Sequence, residues 1–324
     1  MRKNLLLTTL ACAIALTATL RAEEGGSAHY MPGTTASFID AFPGQPGGLA
    51  ILNYFTYYDG SAGASRQLML GGTLTAGLDA TCYADTLVGL YQAPWNVLGG
   101  GLAFGVAVPY VWLDVKGQVQ RISPNGTLGT AFNAKQSTDG IGDMTLIPLM
   151  LGWTNLLPDF KLDTRLSIFA PTGGYEQGRI ANAGKNYWTF EPGIMASWLS
   201  SKIGLEASLF AGVDFNTRND ATDYQSGTSL HLDATLAEHL PLAGGFIGVG
   251  ANAFYYQQIS SDSGTGARLG GFEGMTTGVG PVLSYVHGLG QKSQLLAEVK
   301  WLPEVDVNHR LKGEYVWFKL GVLF

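Results

Sequence analysis

Lys202 to Asn216 reads KIGLEASLFAGVDFN, and its apolar residues fall on every second position: Ile203, Leu205, Ala207, Leu209, Ala211, Val213 and Phe215. Side chains of a strand point alternately to its two faces, so this stretch has one apolar face and one of mostly polar or small residues, Glu206, Ser208, Gly212 and Asp214 among them. The period recurs. Leu230, Leu232, Ala234 and Leu236 alternate with Ser229, His231, Asp233 and Thr235, and His239 continues the polar face. Leu162, Thr164, Leu166, Ile168 and Ala170 alternate with Lys161, Asp163, Arg165 and Ser167, and Leu295, Ala297, Val299 and Trp301 with Glu298 and Lys300. Each run covers about 9 to 14 residues, longer than a usual soluble strand and close to the length a tilted strand needs to cross a bilayer.

Working outward from these windows, strands are expected at 49–59, 80–92, 100–117, 140–154, 161–171, 187–200, 203–217, 228–240, 245–260, 272–288, 293–304 and 312–324. That is about twelve, an even number. The connections alternate in length. Pro94 to Asn96, Asn155 to Asp159, Ser200-Ser201, Pro241 to Ala243 and Leu289 to Lys292 are short, whereas 59–79, 118–139, 172–186, 218–227 and 261–271 are longer and rich in Gly, Asn and Ser. Long loops on one side and short turns on the other belong to an all-β, up-and-down transmembrane barrel with extracellular loops and periplasmic turns; a β-sandwich gives no reason for the asymmetry. Within hydrocarbon every backbone N–H and C=O needs a partner in the protein, so a spanning sheet must close. The uncharged stretches Ala93–Leu113 and Met144–Pro158 hold Gly99-Gly100-Gly101, Gly105, Pro109 and Pro148 and read as strand, not as spanning helices.

Composition agrees. The 324 residues are 46% hydrophobic, only 14% charged and contain 45 glycines. A formal charge of −6 excludes a basic nucleic-acid binder, and the hydrophobic share excludes a disordered chain. Met1-Arg2-Lys3 followed by the uncharged run Leu5 to Leu20 and ending Arg21-Ala22 reads as a signal peptide over residues 1–22. Its removal takes Cys12 and leaves Cys82 alone, so the exported chain is expected to be stable without a disulfide. Residues 23–48 form an N-terminal segment and 49–324 the barrel.

Strand parity sorts the charges. Asp163, Arg165, Glu191, Glu206, Asp214, His231, Asp233, Glu298 and Lys300 are expected in the lumen, because a charge near the lipid midplane costs about 2–4 kcal/mol. Tyr91, Trp95, Trp153, Trp188, Trp198, Tyr285 and Trp301 fall toward strand ends, where interfacial aromatics belong. No nucleophile elbow, phosphate-binding loop, metalloprotease helix or paired C-x-x-C is present, so no enzyme, cofactor or metal is expected. His231, Asp233 and His239 share a face. They are read as a hydrogen-bonded lumen network in preference to a hydrolase relay or metal site, since no partner Ser or third ligand is marked. In the segment 23–48, Tyr30, Met31, Phe38 and Phe42 lie among Pro and Gly without periodicity, and two readings are open: a plug facing an apolar solute, or an inert periplasmic tail. At the other end Val316, Phe318, Leu320, Val322 and Phe324 make one apolar face against Tyr315, Trp317, Lys319 and Gly321. An aromatic C-terminus with this alternation resembles the signal recognised by the barrel-insertion machinery.

Several stretches resemble one family: Gly26-Ser27-Ala28-His29-Tyr30-Met31-Pro32-Gly33, Asn53-Tyr54-Phe55-Thr56-Tyr57-Tyr58, Gly140-Ile141-Gly142-Asp143-Met144, Lys185 to Gly193 and Phe254-Tyr255-Tyr256-Gln257-Gln258. Together they are similar to the outer-membrane family named for the MetA-pathway of phenol degradation, also called SphA-like. The resemblance implies a barrel linked to uptake of aromatic or other hydrophobic compounds, and it supplies no catalytic residues. The expectation is therefore a monomer in the bacterial outer membrane, in contact with lipid and lipopolysaccharide, that passes a small hydrophobic solute. A structural barrel with a filled lumen and a lipid-acting barrel enzyme are the other two readings.

Overall fold

In the computed structural model of the chain, backbone hydrogen bonding closes on itself. The structure describes residues 26–42, 45–63, 67–123, 127–154, 156–267, 273–290 and 292–324, and the signal-peptide reading of 1–22 lies outside these. The strands are β1 (Leu49–Ser61), β2 (Gln67–Leu70), β3 (Thr73–Val97), β4 (Gly100–Arg121), β5 (Phe132–Ile141), β6 (Met144–Trp153), β7 (Phe160–Ala170), β8 (Thr189–Leu199), β9 (Leu205–Asn216), β10 (Ser229–Leu242), β11 (Gly245–Gln258), β12 (Met275–Gly288), β13 (Gln294–Asn308) and β14 (Lys312–Leu323). From β6 to β14 each strand pairs antiparallel with the next, and β14 returns to β1 from Ala50↔Leu323 to Ser61↔Lys312. The sheet has no open edge within the wall, as hydrocarbon demands.

Two of the fourteen strands do not add to the circumference. β2 is a four-residue hairpin partner of the outer end of β3. β5 and β6 both pair with β4, β5 along Tyr110 to Val119 and β6 along Gly101 to Ala107. They are successive halves of one strand, interrupted at Gly142-Asp143, where the Gly142 N–H donates to the Pro109 carbonyl at 2.9 Å. The result is a closed barrel of 12 strands. All twelve expected strands are present. The stretches expected to be loops at 59–79 and 118–139 are partly strand, because β3, β4 and β5 rise past the rest of the barrel and pair with one another beyond it.

The short turns also need correction. Pro94 to Asn96 is not a turn but a register shift inside the β3–β4 pairing, which runs on to Val97↔Gly100. The reversal is Leu98-Gly99, and Ala243-Gly244 repeats it between β10 and β11; both central residues have positive φ in each case, the backbone of the tight hairpin turn that matches strand twist. These turns sit on the side where β1 begins and the chain ends, the periplasmic side by the general rule for such barrels.

Parity holds around the wall. Leu87, Leu146, Ile194, Leu209, Leu236, Val249, Leu283, Phe318 and Leu320 are exposed outward, and the inward set is buried. Asp85 on β3 departs from it, facing out at mid-strand with its carboxylate accepting from the Asn53 amide on the adjacent β1.

Placing Leu236→Arg in the middle of the apolar belt is expected to lower stability by about 2–4 kcal/mol. Leu236→Ala should change it far less. Reversible urea unfolding in phospholipid vesicles measures both.

Candidate functional site

The lumen is not empty, because residues 26–42 run through it. Ser27 lies at the outer end, where the Lys185 ammonium donates to its carbonyl at 2.6 Å. Phe42 lies at the inner end against Gly101 and Gly152, neither of which has room for a Cβ beside the ring. Gly33 has φ +80 and is equally closed in, by Leu302. With few long side chains and several backbone groups turned outward, the segment offers donors and acceptors in all directions, and the barrel wall meets them with charge.

Asp233 accepts from the Tyr30 hydroxyl, from the N–H groups of Gly33 and Thr35 at 3.2 and 3.1 Å and from the Thr35 hydroxyl at 3.0 Å. The Lys300 ammonium donates to the carbonyls of Gly33 and Thr35 at 3.2 and 3.0 Å, and the Trp317 indole to Pro32. Glu206 accepts the Phe38 N–H at 2.7 Å. Lys319 places its ammonium 2.8 Å from both Asp40 oxygens and 3.0 Å from Glu298, which also pairs with Lys300 at 3.2 Å. Arg165 pairs with Asp163 at 2.7 Å and donates to the Asp40 carbonyl at 3.1 Å. A buried charge left without a partner costs several kcal/mol, and here many of the partners are supplied by the segment.

The nine charged side chains Asp163, Arg165, Glu191, Glu206, Asp214, His231, Asp233, Glu298 and Lys300 are buried on the inward strand face, and they do not form one network. His231 and Asp233 share a strand face without acting together: Asp233 turns to Tyr30, whereas His231 lies with Glu191 and Asp214, at 3.3 and 3.5 Å. His239 belongs to Glu206 at 2.8 Å. Of the four plug candidates, Tyr30 and Phe42 are buried, Phe38 packs edge-on against His239 and Met31 is partly buried. Phe318, Leu320 and Phe324 are exposed on the lipid face of β14 and the chain end.

Two groups escaped the sequence reading. Asp40 is the single acidic residue between Glu24 and Asp59, and Lys319 falls on an inward position of the last strand, so both signals were present. His29, Asp143 and Lys185 each fall in a family-like motif, but nothing in the sequence joined these three distant stretches into an outer cluster: Asp143 accepts from the Gly173 and Lys185 N–H groups at 2.8 and 2.7 Å and meets His29 Nε2 at 2.9 Å. In the outer loops, the hydroxyl and N–H of Thr265 and nearby Arg218 hold the Asp223 carboxyl below its ordinary range.

The rest of the lumen is open. A cavity of about 420 Å³ lies between the segment and the wall formed by β1, β3, β4 and β6. Its face on β3 and β4 is small and apolar, with Ala80, Cys82, Ala84 and Val88 pointing inward from β3 and Ala107, Val111 and Val115 from β4, whereas Asp143, Arg165, Lys185, Glu191 and Arg310 line other parts of it. Tyr30, Met31 and Ile39 close the opposite side.

A closed barrel with a lipid-facing apolar belt and an occupied lumen is an outer-membrane β-barrel of the bacterial type. The family model for the MetA-pathway of phenol degradation matches residues 62–320, and the chain belongs to that family. No curated protein sequence matches it. Among solved structures, an outer membrane channel from Pseudomonas putida F1 is similar in fold, at 14% identity and a TM-score of 0.58 over 91% of this chain and 100% of that one. The β domain of the Bordetella autotransporter BrkA is also similar, at 14% identity and a TM-score of 0.47 over 86% of this chain and 99% of that one.

Asp233→Ala removes the acceptor of four groups of the segment. In a Cys82→Ala background, Ala36→Cys is expected to react slowly with a maleimide and at least about tenfold faster once Asp233→Ala is added, as read by mass spectrometry of the folded barrel. Equal rates would show that the remaining contacts hold the segment unaided.

Proposed function

We propose that the protein is an outer-membrane channel for small, largely hydrophobic solutes, aromatic or lipid-like ones included, with residues 26–42 as the movable obstruction. The cavity carries the reading: its size and small apolar wall suit a ring-bearing solute, and a few polar groups of the segment converge on its edge. The β3 and β4 face of the cavity suits a solute without charge, and the polar sugar layer outside a Gram-negative cell is a poor path for such a molecule, which gives the channel its purpose. The protein acts as a monomer surrounded by lipid and lipopolysaccharide, and the terminal residues Phe318, Leu320, Val322 and Phe324 serve as the insertion signal. The reading is of passage, not catalysis: His231 faces two carboxylates instead of a hydroxyl, and the Ser167 hydroxyl donates to Glu191 at 3.0 Å.

One observation favours the structural-barrel reading. The charged half of the lumen is filled by side chains and the segment, so steady ionic conduction through the intact chain is not expected.

Two measurements decide. In planar bilayers the intact barrel should be closed and a chain lacking residues 23–48 should open steady channels; conduction by neither leaves passage of an apolar solute to the second measurement. Ala84→Trp fills the cavity from the wall without touching the segment's charges. It is expected to weaken binding of a fluorescent apolar probe such as N-phenylnaphthylamine, and its displacement by small aromatics, by about tenfold or more. Unchanged binding in a folded Ala84→Trp barrel would remove the cavity from the solute path.

A further inference from the structure

Glu191, Asp214 and His231 come from three adjacent strands, β8, β9 and β10, and meet on the inward face. The register that pairs Phe190 with Phe215 and Gly193 with Gly212 sets Glu191 opposite Asp214. Like charges directly across a ladder repel, and here both carboxylates are buried to within 3% of full occlusion. The nearby guanidinium of Arg165 is committed to Asp163 and the Asp40 carbonyl. His231 Nε2 lies 3.3 Å from Glu191 Oε2 and 3.5 Å from Asp214 Oδ1, and all three donor atoms fall within 4.8 Å of one another. His231 is fully buried, neither of its ring nitrogens makes a hydrogen bond, and neither does Glu191 Oε2.

We propose that Glu191, Asp214 and His231 bind a divalent transition cation of the zinc class inside the barrel wall. Around a tetrahedral ion with bonds of about 2.1 Å, donor atoms stand about 3.4 Å apart, which is the spacing of His231 to both carboxylates. One imidazole with two carboxylates suits zinc, cobalt or manganese more than calcium or magnesium, which take oxygen ligands alone. Two carboxylates and a neutral imidazole make an anionic donor set for a 2+ ion, and water completes the coordination. The supporting contacts are in place. The Ser167 hydroxyl holds Glu191 Oε1 at 3.0 Å and leaves Oε2 turned toward His231, in the manner of outer groups that orient ligands. Gly212 is the strand position across which the imidazole lies, and any Cβ there would collide with it.

The site would bear on the segment. The Tyr30 ring stacks on the His231 imidazole with centroids 3.6 Å apart and planes 13° from parallel. A metal that fixes the imidazole therefore fixes the surface on which Tyr30 rests. His231 was placed with Asp233 in the sequence because they are two apart on one strand; Glu191 and Asp214 reach it only across the sheet.

The test uses the full chain folded in detergent, stripped with EDTA and titrated with Zn²⁺ by calorimetry and with Co²⁺ by visible absorption. One equivalent is expected to bind, with Co²⁺ giving the intense bands of a four-coordinate site. His231→Gln and Asp214→Asn should each weaken binding by about a hundredfold or more, and His287→Gln, remote from the site on β12, should not. Retention of a folded barrel is read from migration on unheated gels, and the milder Glu191→Gln replaces any variant that fails to fold. In the Cys82→Ala, Ala36→Cys barrel, Zn²⁺ should slow maleimide labelling. The proposal is overturned if the folded chain takes up no metal, which leaves an imidazolium balancing the two carboxylates, or if uptake survives His231→Gln and Asp214→Asn.

Discussion

Lys319 holds the chain's two ends together: its ammonium, on the last strand, sits between Asp40 of the N-terminal segment and Glu298 of the neighbouring strand, with almost no exposed surface. Without the segment the lumen would keep Lys300 and Lys319 with Glu298 as their facing carboxylate, and Asp233 would lose the donors of Tyr30, Gly33 and Thr35. The inward charges of β7 to β14 are thus only half a network. Removing one partner of a buried pair costs far more than the pair contributes net, so the barrel and its segment are bound by mutual need more than by contact area.

Much of this was legible. Parity along β7, β9, β10, β13 and β14 gives the strands, their inward charges and the outward belt, because a spanning strand faces two solvents of opposite demand and a one-residue slip would expose every charge to lipid. The taller hairpin of β3, β4 and β5 was not legible, since above the membrane that demand ceases and strand and polar loop share a composition. Partnerships were hidden for another reason. Which carboxylate His231 meets depends on register between strands, fixed by turns such as Leu98-Gly99 and Ala243-Gly244 and by irregularities such as that between Gln92 and Asn96.

The cavity had a signal too, in Ala80, Cys82, Ala84, Thr86 and Val88 on alternate positions of β3. Small residues on a buried strand face ordinarily let another element approach closely. Among the described residues no element does, and the space persists because the segment is pulled to the opposite wall by its ties to Asp233, Lys300 and Lys319. An open cavity with a small-residue face is then a consequence of where the charges are.

In the proposed channel, that lopsidedness would join binding to opening. Tyr30 contributes its ring to the cavity and its hydroxyl to Asp233, and Met31 and Ile39 lie on either side of the same anchors. A solute that fills the cavity presses on residues whose backbones are held by charge-assisted hydrogen bonds, each worth more than a neutral one. It can move the segment only by the free energy with which it prefers the displaced state. An apolar solute gains that preference by covering the apolar side chains which the segment would uncover as it withdraws, whereas an ion gains nothing there. In the proposed channel, selectivity for apolar solutes would therefore not require a matched pocket for one compound; it would follow from an obstruction whose backbone is anchored to Asp233, Lys300 and Lys319 and whose Tyr30, Met31 and Ile39 face the cavity.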